Sequence, residues 1–288
     1  MKPDTDNPEY SVYREEDVES WPDVAPTPSA RGVLLLLFIV LVVVSLLAGL
    51  VSVASRWKND VIVRGFVLDG TSLVADNELL LRIIKFKGCN LLELDTAGLK
   101  KQVMSIPYIR DAVITRELNG IVRIRVKERE PVALTFIDNK ATVIDREGFL
   151  LPWRKQVSLK FPKLFTVGGA SRLKTAGNGL LQLDSRDTAL VLQFLQALSE
   201  TDYASMLVRE LHLEPDNTTW CMAVESPARF IVGNDGNFKE KLKKFEIFWQ
   251  KVISKKGFAF YDTVDLRFRE RIFTRDLVSP GVPQNVSR

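Results

Sequence analysis

The sequence predicts an α+β protein with a single transmembrane helix, a small domain of element order β-α-α-β-β, and a β-sheet domain with two helices packed on it. Three observations predict this class. Residues 32–55 form an uncharged apolar run, residues 60–133 hold short strand and helix patterns around an Asn-Gly turn, and residues 134–275 hold two long amphipathic helices among strands. A chain of 288 residues has room for two modest domains and not for a large multidomain enzyme.

Composition and charge narrow the classes of function. Two cysteines and one histidine are too few for a disulfide framework or a Cys/His metal cluster, so we expect no metal or other cofactor. Residues 1–55 carry three basic and eight acidic side chains, and the rest of the chain carries 37 basic and 28 acidic ones. The two parts are therefore expected to face different partners or compartments.

Residues 33–54 are the predicted transmembrane helix. The 24 residues of Gly32–Ser55 carry no charge, and as a helix of about 36 Å they would cross a hydrocarbon core of about 30 Å. A buried soluble helix would carry a polar face, and a cleaved signal peptide would have a shorter apolar core behind a basic leader, so we favour an uncleaved anchor. Arg31 lies before the run and Arg56 and Lys58 lie after it, so the positive-inside rule leaves the orientation open.

Both ends of the chain are predicted to be tails. Residues 1–32 contain five prolines and an acidic excess but no apolar period, which predicts a disordered segment. Residues 276–288, with two prolines and a glycine, are predicted to form a flexible C-terminal tail.

The first domain, residues 60–133, has the order β-α-α-β-β. Asp95 is a predicted N-cap of the second helix, Pro107 ends that helix, and Asn119-Gly120 is a strong hairpin signal. The small sheet would leave an edge open to a partner strand. The predicted elements are a strand in 60–71, helices in 76–85 and 96–105, and strands in 108–117 and 121–127.

The second domain, residues 134–275, contains two helices with continuous apolar stripes. Lysines on the later helix are predicted to face mostly outward, as a solvated face or, less favoured, as a surface for anionic lipid or an acidic partner. These lysines are Lys239, Lys241, Lys243 and Lys244. The predicted elements are a loop in 168–179, helices in 187–199 and 237–254, strands in 208–213 and 219–225, and a last strand in 263–274.

The register of the 208–225 hairpin raises the one enzymatic hypothesis. A turn centred on Asp216-Asn217 would pair Leu213 with Trp220 and place His212 on the same face as Cys221. A thiol nucleophile needs a base, an orienting group and an oxyanion site, and the sequence offers no such support, so two unrelated residues on a sheet face are favoured. A disulfide between Cys89 and Cys221 would have to join two predicted domains and is also disfavoured.

Several segments resemble the FtsQ/DivIB bacterial cell-division family. In the first domain these are Pro107–Arg116 (PYIRDAVITR) and Glu128–Ala133 (EREPVA), which look like a POTRA domain of that family. In the second they are Val143–Gly148 (VIDREG), Phe161–Leu164 (FPKL) and the terminal Val264–Phe268 (VDLRF). Together with the acidic tail and single apolar helix, the resemblance extends over residues 33–274. Phe268 stands where relatives commonly have tyrosine.

The resemblance implies a function, partners and a location. It implies a non-enzymatic divisome scaffold that links early and late cell-division proteins and helps control septal peptidoglycan synthesis by binding FtsB and FtsL. It also implies a cytoplasmic N-terminus and a periplasmic or extracytoplasmic C-terminal region in the inner (cytoplasmic) membrane at the division septum. The implied partner-binding residues are those of the last strand, Arg267, Phe268, Glu270, Ile272 and Phe273.

Other readings of the sequence remain open. The POTRA edge is a second candidate surface for other division proteins. A POTRA-containing envelope chaperone or translocation module is the main alternative, although such proteins usually continue into a membrane β-barrel and fewer than 160 residues follow the POTRA domain here. An envelope enzyme acting through Cys221 is a third. Nucleic acid is not expected as a partner of domains outside the cytoplasm. The chain also has no Gly-rich phosphate loop, and its scattered glycines fit turns better.

Overall fold

The computed structural model describes residues 30–277 apart from 178 and 258, with backbone alone at residues 30 and 56–60. The predicted tails 1–32 and 276–288 therefore lie almost wholly outside the described residues. The chain divides into two units, residues 1–60 and 61–288.

The first unit contributes one long helix, α1 (Ala30–Asp60). Its segment Arg31–Ser55 is long and apolar enough to cross a membrane, and the side chains of this segment are exposed. A helix without a buried face is what lipid contact requires, because the backbone satisfies its own polar groups. The predicted apolar helix over 33–54 is confirmed.

The second unit begins with the predicted β-α-α-β-β domain. Strand β1 runs parallel to β3, and β2 runs antiparallel to β3, which gives the sheet order β1-β3-β2. Asp95 caps α3 as predicted, since its carboxylate accepts a hydrogen bond from the backbone N–H of Gly98. The elements are β1 (Gly65–Asp69), α2 (Asp76–Ile83) with a 3-10 turn at Ile84–Phe86, α3 (Thr96–Met104), β2 (Ile109–Arg116) and β3 (Ile121–Glu128).

Both helices of this domain pack one apolar face on the sheet. Leu79 and Ile83 of α2, with Leu99 and Val103 of α3, are fully buried. They share a core with Ile124 and other sheet residues. This packing stabilises the domain, because the helices are too short to persist alone.

The remainder of the chain builds a nine-stranded mixed sheet of order β14-β13-β12-β11-β10-β7-β4-β5-β6. The predicted domain division between residues 133 and 134 falls inside β4. The strands are β4 (Pro131–Ile137), β5 (Lys140–Asp145), β6 (Leu150–Pro152), β7 (Phe165–Gly168), β10 (Val208–His212), β11 (Trp220–Ala223), β12 (Arg229–Ile231), β13 (Tyr261–Asp265) and β14 (Phe273–Asp276). A separate hairpin, β8 (Leu173–Thr175) with β9 (Leu181–Leu183), has its first strand inside the segment predicted as a loop.

The two predicted long helices are present and pack on this sheet. Phe194 of one and Phe245 of the other are fully buried in its core. The α+β class with two long helices on a sheet is thus confirmed, and two short helices accompany them. The four helices are α4 (Lys155–Lys160), α5 (Ser185–Ser199), α6 (Asp202–Leu207) and α7 (Phe238–Phe248), which continues through a π turn at Trp249–Ile253 to Lys256.

Ionic and polar bonds join the two domains of the second unit. The guanidinium of Arg129, at the end of β3, donates to the carboxylate of Asp145 at 2.8 Å, and both side chains are at least 95% buried. The hydroxyl of Tyr108 donates to the carbonyl of Pro152 at 2.7 Å, and burial raises the pKa of this phenol to about 12. These bonds hold β5 and β6 of the large sheet against the first domain.

The predicted register of the β10–β11 hairpin is wrong by one residue. Leu211 pairs with Cys221 and His212 pairs with Trp220, so residues 213–219 form the connection. A one-residue shift moves every side chain to the other face of a strand. Cys221 is consequently buried beside Leu211 in the core, while the His212 ring stacks on Trp220 with centroids 4.6 Å apart.

Candidate functional site

The edge of the large sheet at β14 is the candidate functional site. In the part of the chain that the structure describes, β14 has one neighbouring strand, β13, so its second row of backbone N–H and C=O groups lies open. All four residues of β14 are exposed. The opposite edge strand, β6, ends in Pro152, whose carbonyl accepts the Tyr108 hydroxyl of the first domain. An open strand edge is a template for pairing with another chain.

The single last strand predicted over 263–274 is instead a hairpin. Strand β13 ends at Asp265, the chain turns through residues 266–272, and β14 returns antiparallel with Phe273 opposite Asp265. The turn contains no glycine or proline, so the sequence carries none of the usual signals for it.

Arg267 and Asp265 form the first bond set that shapes the turn. The Asp265 carboxylate accepts hydrogen bonds from the backbone N–H and the guanidinium of Arg267, the shortest at 2.6 Å, and Arg267 also donates to the carbonyl of Asn217. Burial acts to raise the pKa of Asp265, but the bonds from Arg267 outweigh it and leave this pKa below its ordinary value. The same bonds raise the pKa of Arg267.

Lys244 of α7 supplies the second bond set. Its ammonium donates to the carbonyls of Leu266 and Phe268 at 2.8 and 2.7 Å. Burial lowers the pKa of this lysine, because desolvation penalises the charged form. Lys244 therefore ties the turn to the helix layer rather than standing outward as predicted.

Lys241 departs further than Lys244 from the predicted outward orientation. Its side chain is 3% exposed, and its ammonium pairs with Asp235 and donates to the carbonyls of Val232 and Gly236. A buried ammonium needs such partners, because leaving it unpaired would be costly. Lys239 and Lys243 are exposed as predicted.

Aromatic side chains stand at the mouth of the turn. The rings of Phe268 and Phe273 meet edge to face with centroids 4.7 Å apart, and 48% and 51% of these residues are exposed. Phe273 and Arg275 lie on the face of the sheet away from the helices, since Thr263, the partner of Arg275, alternates with the buried Val264. We call the open edge of β14 together with Phe268, Phe273 and Arg275 the hairpin surface.

The five residues predicted to bind a partner do not all lie on this surface in the same way. Phe268 and Phe273 are exposed and touch each other, and Glu270 is exposed in the turn. Arg267 is engaged by Asp265 and Asn217, and Ile272 packs partly buried against the core of the large domain. Arg267 and Ile272 are thus placed to hold the turn, while the other three face outward.

Two residues of the site were missed from the sequence. Arg275 lines a cavity of about 230 Å³ with Trp220, Ile231 and Thr263, on the face of the sheet opposite the helices. Lys244 positions the turn through the carbonyls of Leu266 and Phe268, which lie 22 and 24 residues later in the sequence, so no local sequence pattern indicates this role. Had the turn at residues 266–272 been predicted, the pairing of β14 with β13 would have placed Arg275 on the exposed face of the sheet.

The geometry does not support the thiol hypothesis. Cys221 is completely buried, and burial raises the pKa of its thiol to about 12, so no thiolate forms near neutral pH. His212 lies on the other face of the sheet. Cys89 is an exposed free thiol in the first domain, and the two cysteines are not bonded to each other.

Comparison with known protein families agrees with the fold. A model described as POTRA domain, FtsQ-type, matches residues 61–129, the β-α-α-β-β domain. A second model, described as FtsQ/DivIB, C-terminal related, matches residues 130–274, which is just over half of the chain. The chain belongs to the FtsQ/DivIB family. This match ends at residue 274, inside β14, so it includes Phe268 and Phe273 of the hairpin surface but not Arg275.

Individual members of the FtsQ/DivIB family are similar over different lengths. The cell division protein FtsQ of Rhodothermus marinus is 26% identical over 242 residues, 82% of this chain and 85% of that protein. The cell division protein DivIB of Clostridium acetobutylicum is 24% identical over 213 residues, 70% of this chain and 78% of its own length. DivIB of Clostridium tetani is 39% identical over 85 residues, 29% of this chain and 31% of that protein.

Proposed function

We propose that this protein is a non-enzymatic divisome scaffold that binds FtsB- and FtsL-type proteins by strand addition at β14. Through these partners it links early and late cell-division proteins and helps control septal peptidoglycan synthesis. Membership of the FtsQ/DivIB family, with relatives named as cell division proteins, supports the divisome role. The observation that carries the binding mode is the open edge of β14 beside two exposed phenylalanines.

The hairpin surface suits an extended partner segment. Backbone groups along β14 would bond the incoming strand, and Phe268, Phe273 and Arg275 would select its side chains. Aromatic side chains carry large shares of binding energy at interfaces because they bury much surface at little entropic cost. Glu270, exposed in the turn, would favour partners that place a basic residue near the start of β14. Arg267 and Ile272 would keep the turn in its conformation.

The rest of the chain delivers this surface to its place of action. Residues 33–54 anchor the protein in the cytoplasmic membrane by a single span, residues 1–32 stay in the cytoplasm, and residues 60–133 and 134–275 work outside it at the septum. The apolar helix Arg31–Ser55 supports the anchor. Long domains are exported despite flanking basic residues, so Arg56 and Lys58 do not oppose this orientation.

The first domain offers a second contact region. Its sheet has two edge strands, β1 and β2, on either side of β3. Either edge would take another division protein by the same kind of pairing. The alternative of a POTRA-containing chaperone or translocation module would use these edges alone and would not need the hairpin surface.

Capture of an FtsB-type partner by the full-length chain in nanodiscs tests the proposal. Phe268→Glu together with Phe273→Glu should weaken capture by tenfold or more, on the order of 1.4 kcal/mol or above, because anchor aromatics are lost and charge enters the interface. Phe136→Glu is a matched control, since Phe136 is 58% exposed on β4 of the same sheet. Capture by the double variant equal to that of the control variant would remove the proposed site.

Proline substitution separates backbone pairing from side-chain contact. Consecutive N–H groups of a strand point to opposite neighbours, so one of Thr274→Pro and Arg275→Pro removes an outward N–H and the other breaks the bond to β13. Hydrogen exchange of the β13 amides identifies the variant that keeps the β13–β14 pairing. That variant should still lose capture of the partner. Full capture by that variant would contradict strand addition.

A further inference from the structure

The POTRA helix α2 and the 3-10 turn after it carry a second apolar stripe that is largely exposed, with Leu80 packed partly against the core. Leu79 and Ile83 face the core, yet Leu81 is 78% and Ile84 52% exposed, and these two with Leu80 and Asn77 line a shallow depression of about 350 Å³. A helix on the surface of a soluble domain normally shows polar residues on its outer face. Clustered exposed apolar residues of this kind indicate a contact surface.

Basic residues border this stripe on the C-terminal side. Lys85 and Lys87 are exposed, and in the described part of the chain neither forms an ion pair. Glu78, the acidic residue nearest along the helix, is paired with Arg154 at 2.7 Å. We call Leu80, Leu81, Ile84, Lys85 and Lys87 the α2 patch.

The α2 patch lies close to the point where the chain enters the POTRA domain. The N–H of Val63 donates to the carbonyl of Cys89 at 2.9 Å, the N–H of Gly88 donates to the carbonyl of Val63 at 2.9 Å, and the N–H of Leu91 donates to the carbonyl of Val61 at 2.8 Å. The entering segment is thus bonded to the residues that directly follow Lys87. Ile62, within it, is also exposed, at 45%.

The covalent chain limits how far this entry point can move from a membrane. Only residues 56–60 separate Ser55, the end of the apolar run, from Val61. Five residues reach about 18 Å at most, even when fully extended. If α1 crosses a bilayer, a surface at the entry point is held within reach of lipid headgroups.

We propose that the α2 patch rests on the membrane surface and binds anionic lipid headgroups through Lys85 and Lys87. Leu81 and Ile84 would enter the boundary between headgroups and acyl chains, as apolar faces of interfacial helices do. The lysines would meet the negative potential of anionic lipids, which acts within a Debye length of the surface. This inference rests on the proposed membrane anchor and is independent of partner binding at the hairpin surface. A lipid surface is favoured over a protein groove by the short tether and by the two lysines, which form no ion pair in the described part of the chain; the Lys85 ammonium contacts the Phe86 ring alone.

Labelling of the full-length chain in nanodiscs tests the proposal. In a Cys89→Ser background, Leu81→Cys carries an environment-sensitive dye, and the discs contain phosphatidylcholine with or without phosphatidylglycerol and a quencher-labelled lipid. We expect a blue shift and lipid quenching at position 81 in anionic discs, with less of both in neutral discs. Val113→Cys is the control, because Val113 is 57% exposed on β2, between Ala112 and Ile114, which turn toward the core.

Charge reversal completes the test. Lys85→Glu with Lys87→Glu should reduce the shift and quenching at Leu81→Cys in anionic discs, and Lys100→Glu with Lys101→Glu on the exposed side of α3 should not. A dye at position 81 that stays as hydrated as the dye at position 113 in anionic discs would overturn the proposal. A blue shift that appears only when a division protein is added would also overturn it, in favour of a protein-binding surface. Capture of a partner at the hairpin surface is measured in a separate experiment, so a failure of that proposal does not change the interpretation of the labelling result.

Discussion

The ring of Phe268 lies edge-on against the ring of Phe273, with centroids 4.7 Å apart, across the turn that joins β13 to β14. One residue belongs to the turn and the other begins the edge strand, so the contact couples the shape of the turn to the position of the strand. Lys244 of α7 and Arg267 hold the same turn in place through hydrogen bonds to the carbonyls of Leu266 and Phe268 and to the carboxylate of Asp265. The hairpin surface is therefore ordered before a partner arrives, which lowers the entropy lost on binding.

Lys244→Met should loosen the terminal hairpin. The variant keeps the length of the side chain but removes the charged donor to two carbonyls, which we expect to ease opening of the hairpin by about 1.5 kcal/mol. Hydrogen exchange of residues 261–277 measures this opening, and capture of the partner should fall with it. Lys243→Met is the control, because Lys243 is exposed on the same helix. Equal exchange in the two variants would mean that Lys244 does not hold the turn.

Acidification should remove the contribution of Asp265 to stability. Because its pKa in the folded protein is below the ordinary value of about 3.9, the bond to Arg267 stabilises the fold fully above that value and is lost as the pH falls through the lowered pKa. The difference in melting temperature between the unaltered chain and Asp265→Asn should be largest above about pH 5 and should shrink below about pH 4. A difference that stayed constant over this range would exclude the carboxylate charge as its source.

Arg129→Met should lower the free energy of unfolding at the junction of the two domains of the second unit far more than a surface change does. Removing Arg129 leaves the buried carboxylate of Asp145 without its charged partner, with only the backbone N–H groups of Glu147 and Phe149 donating to it, at a cost of about 3 kcal/mol in the free energy of unfolding. Arg146→Met breaks the exposed pair with Glu130 and should cost no more than about 1 kcal/mol. Denaturant unfolding of the full-length chain compares them. Similar losses would show that burial of the pair has no energetic consequence.

The two thiols should differ sharply in reactivity. A thiol reagent should label Cys89 quickly in the folded chain and Cys221 only after denaturation, since Cys221 is buried and its thiol pKa is raised to about 12. Cys221→Ser should destabilise the fold by about 1–3 kcal/mol by burying a hydroxyl, whereas Cys89→Ser should be nearly neutral. Rapid labelling of Cys221 in the folded chain would bring the abandoned nucleophile hypothesis back.

Elements defined by local patterns were predictable from the sequence. The helix predicted over 187–199 is α5, and Asp95 and Asn119-Gly120 act as the cap and the turn that their residue types indicate. In each case the deciding residues lie within one or two turns of each other. Propensity and periodicity are enough for such elements.

Features set by contacts distant in sequence were not predictable. The β10–β11 connection has seven residues rather than six, with Asn217 at positive φ, so Cys221 of β11 lies on the face opposite to the predicted one, while Leu211 and His212 of β10 face as predicted. Lys241 follows the solvated pattern of its neighbours, but Asp235 and two carbonyls from other segments enclose it. The break after β13 depends on Lys244 and Asn217, neither of which lies in the terminal segment.

Hydrogen exchange of the β14 amides, with and without an FtsB-type partner, tests the central claim most directly. In the full-length chain, alternate amides of Phe273–Asp276 that face the open edge should exchange freely alone and become protected when the partner binds. The amides already bonded to β13 should change little. Partner bound at saturation with no added protection anywhere in β14 would contradict strand addition and place the scaffold's binding surface elsewhere.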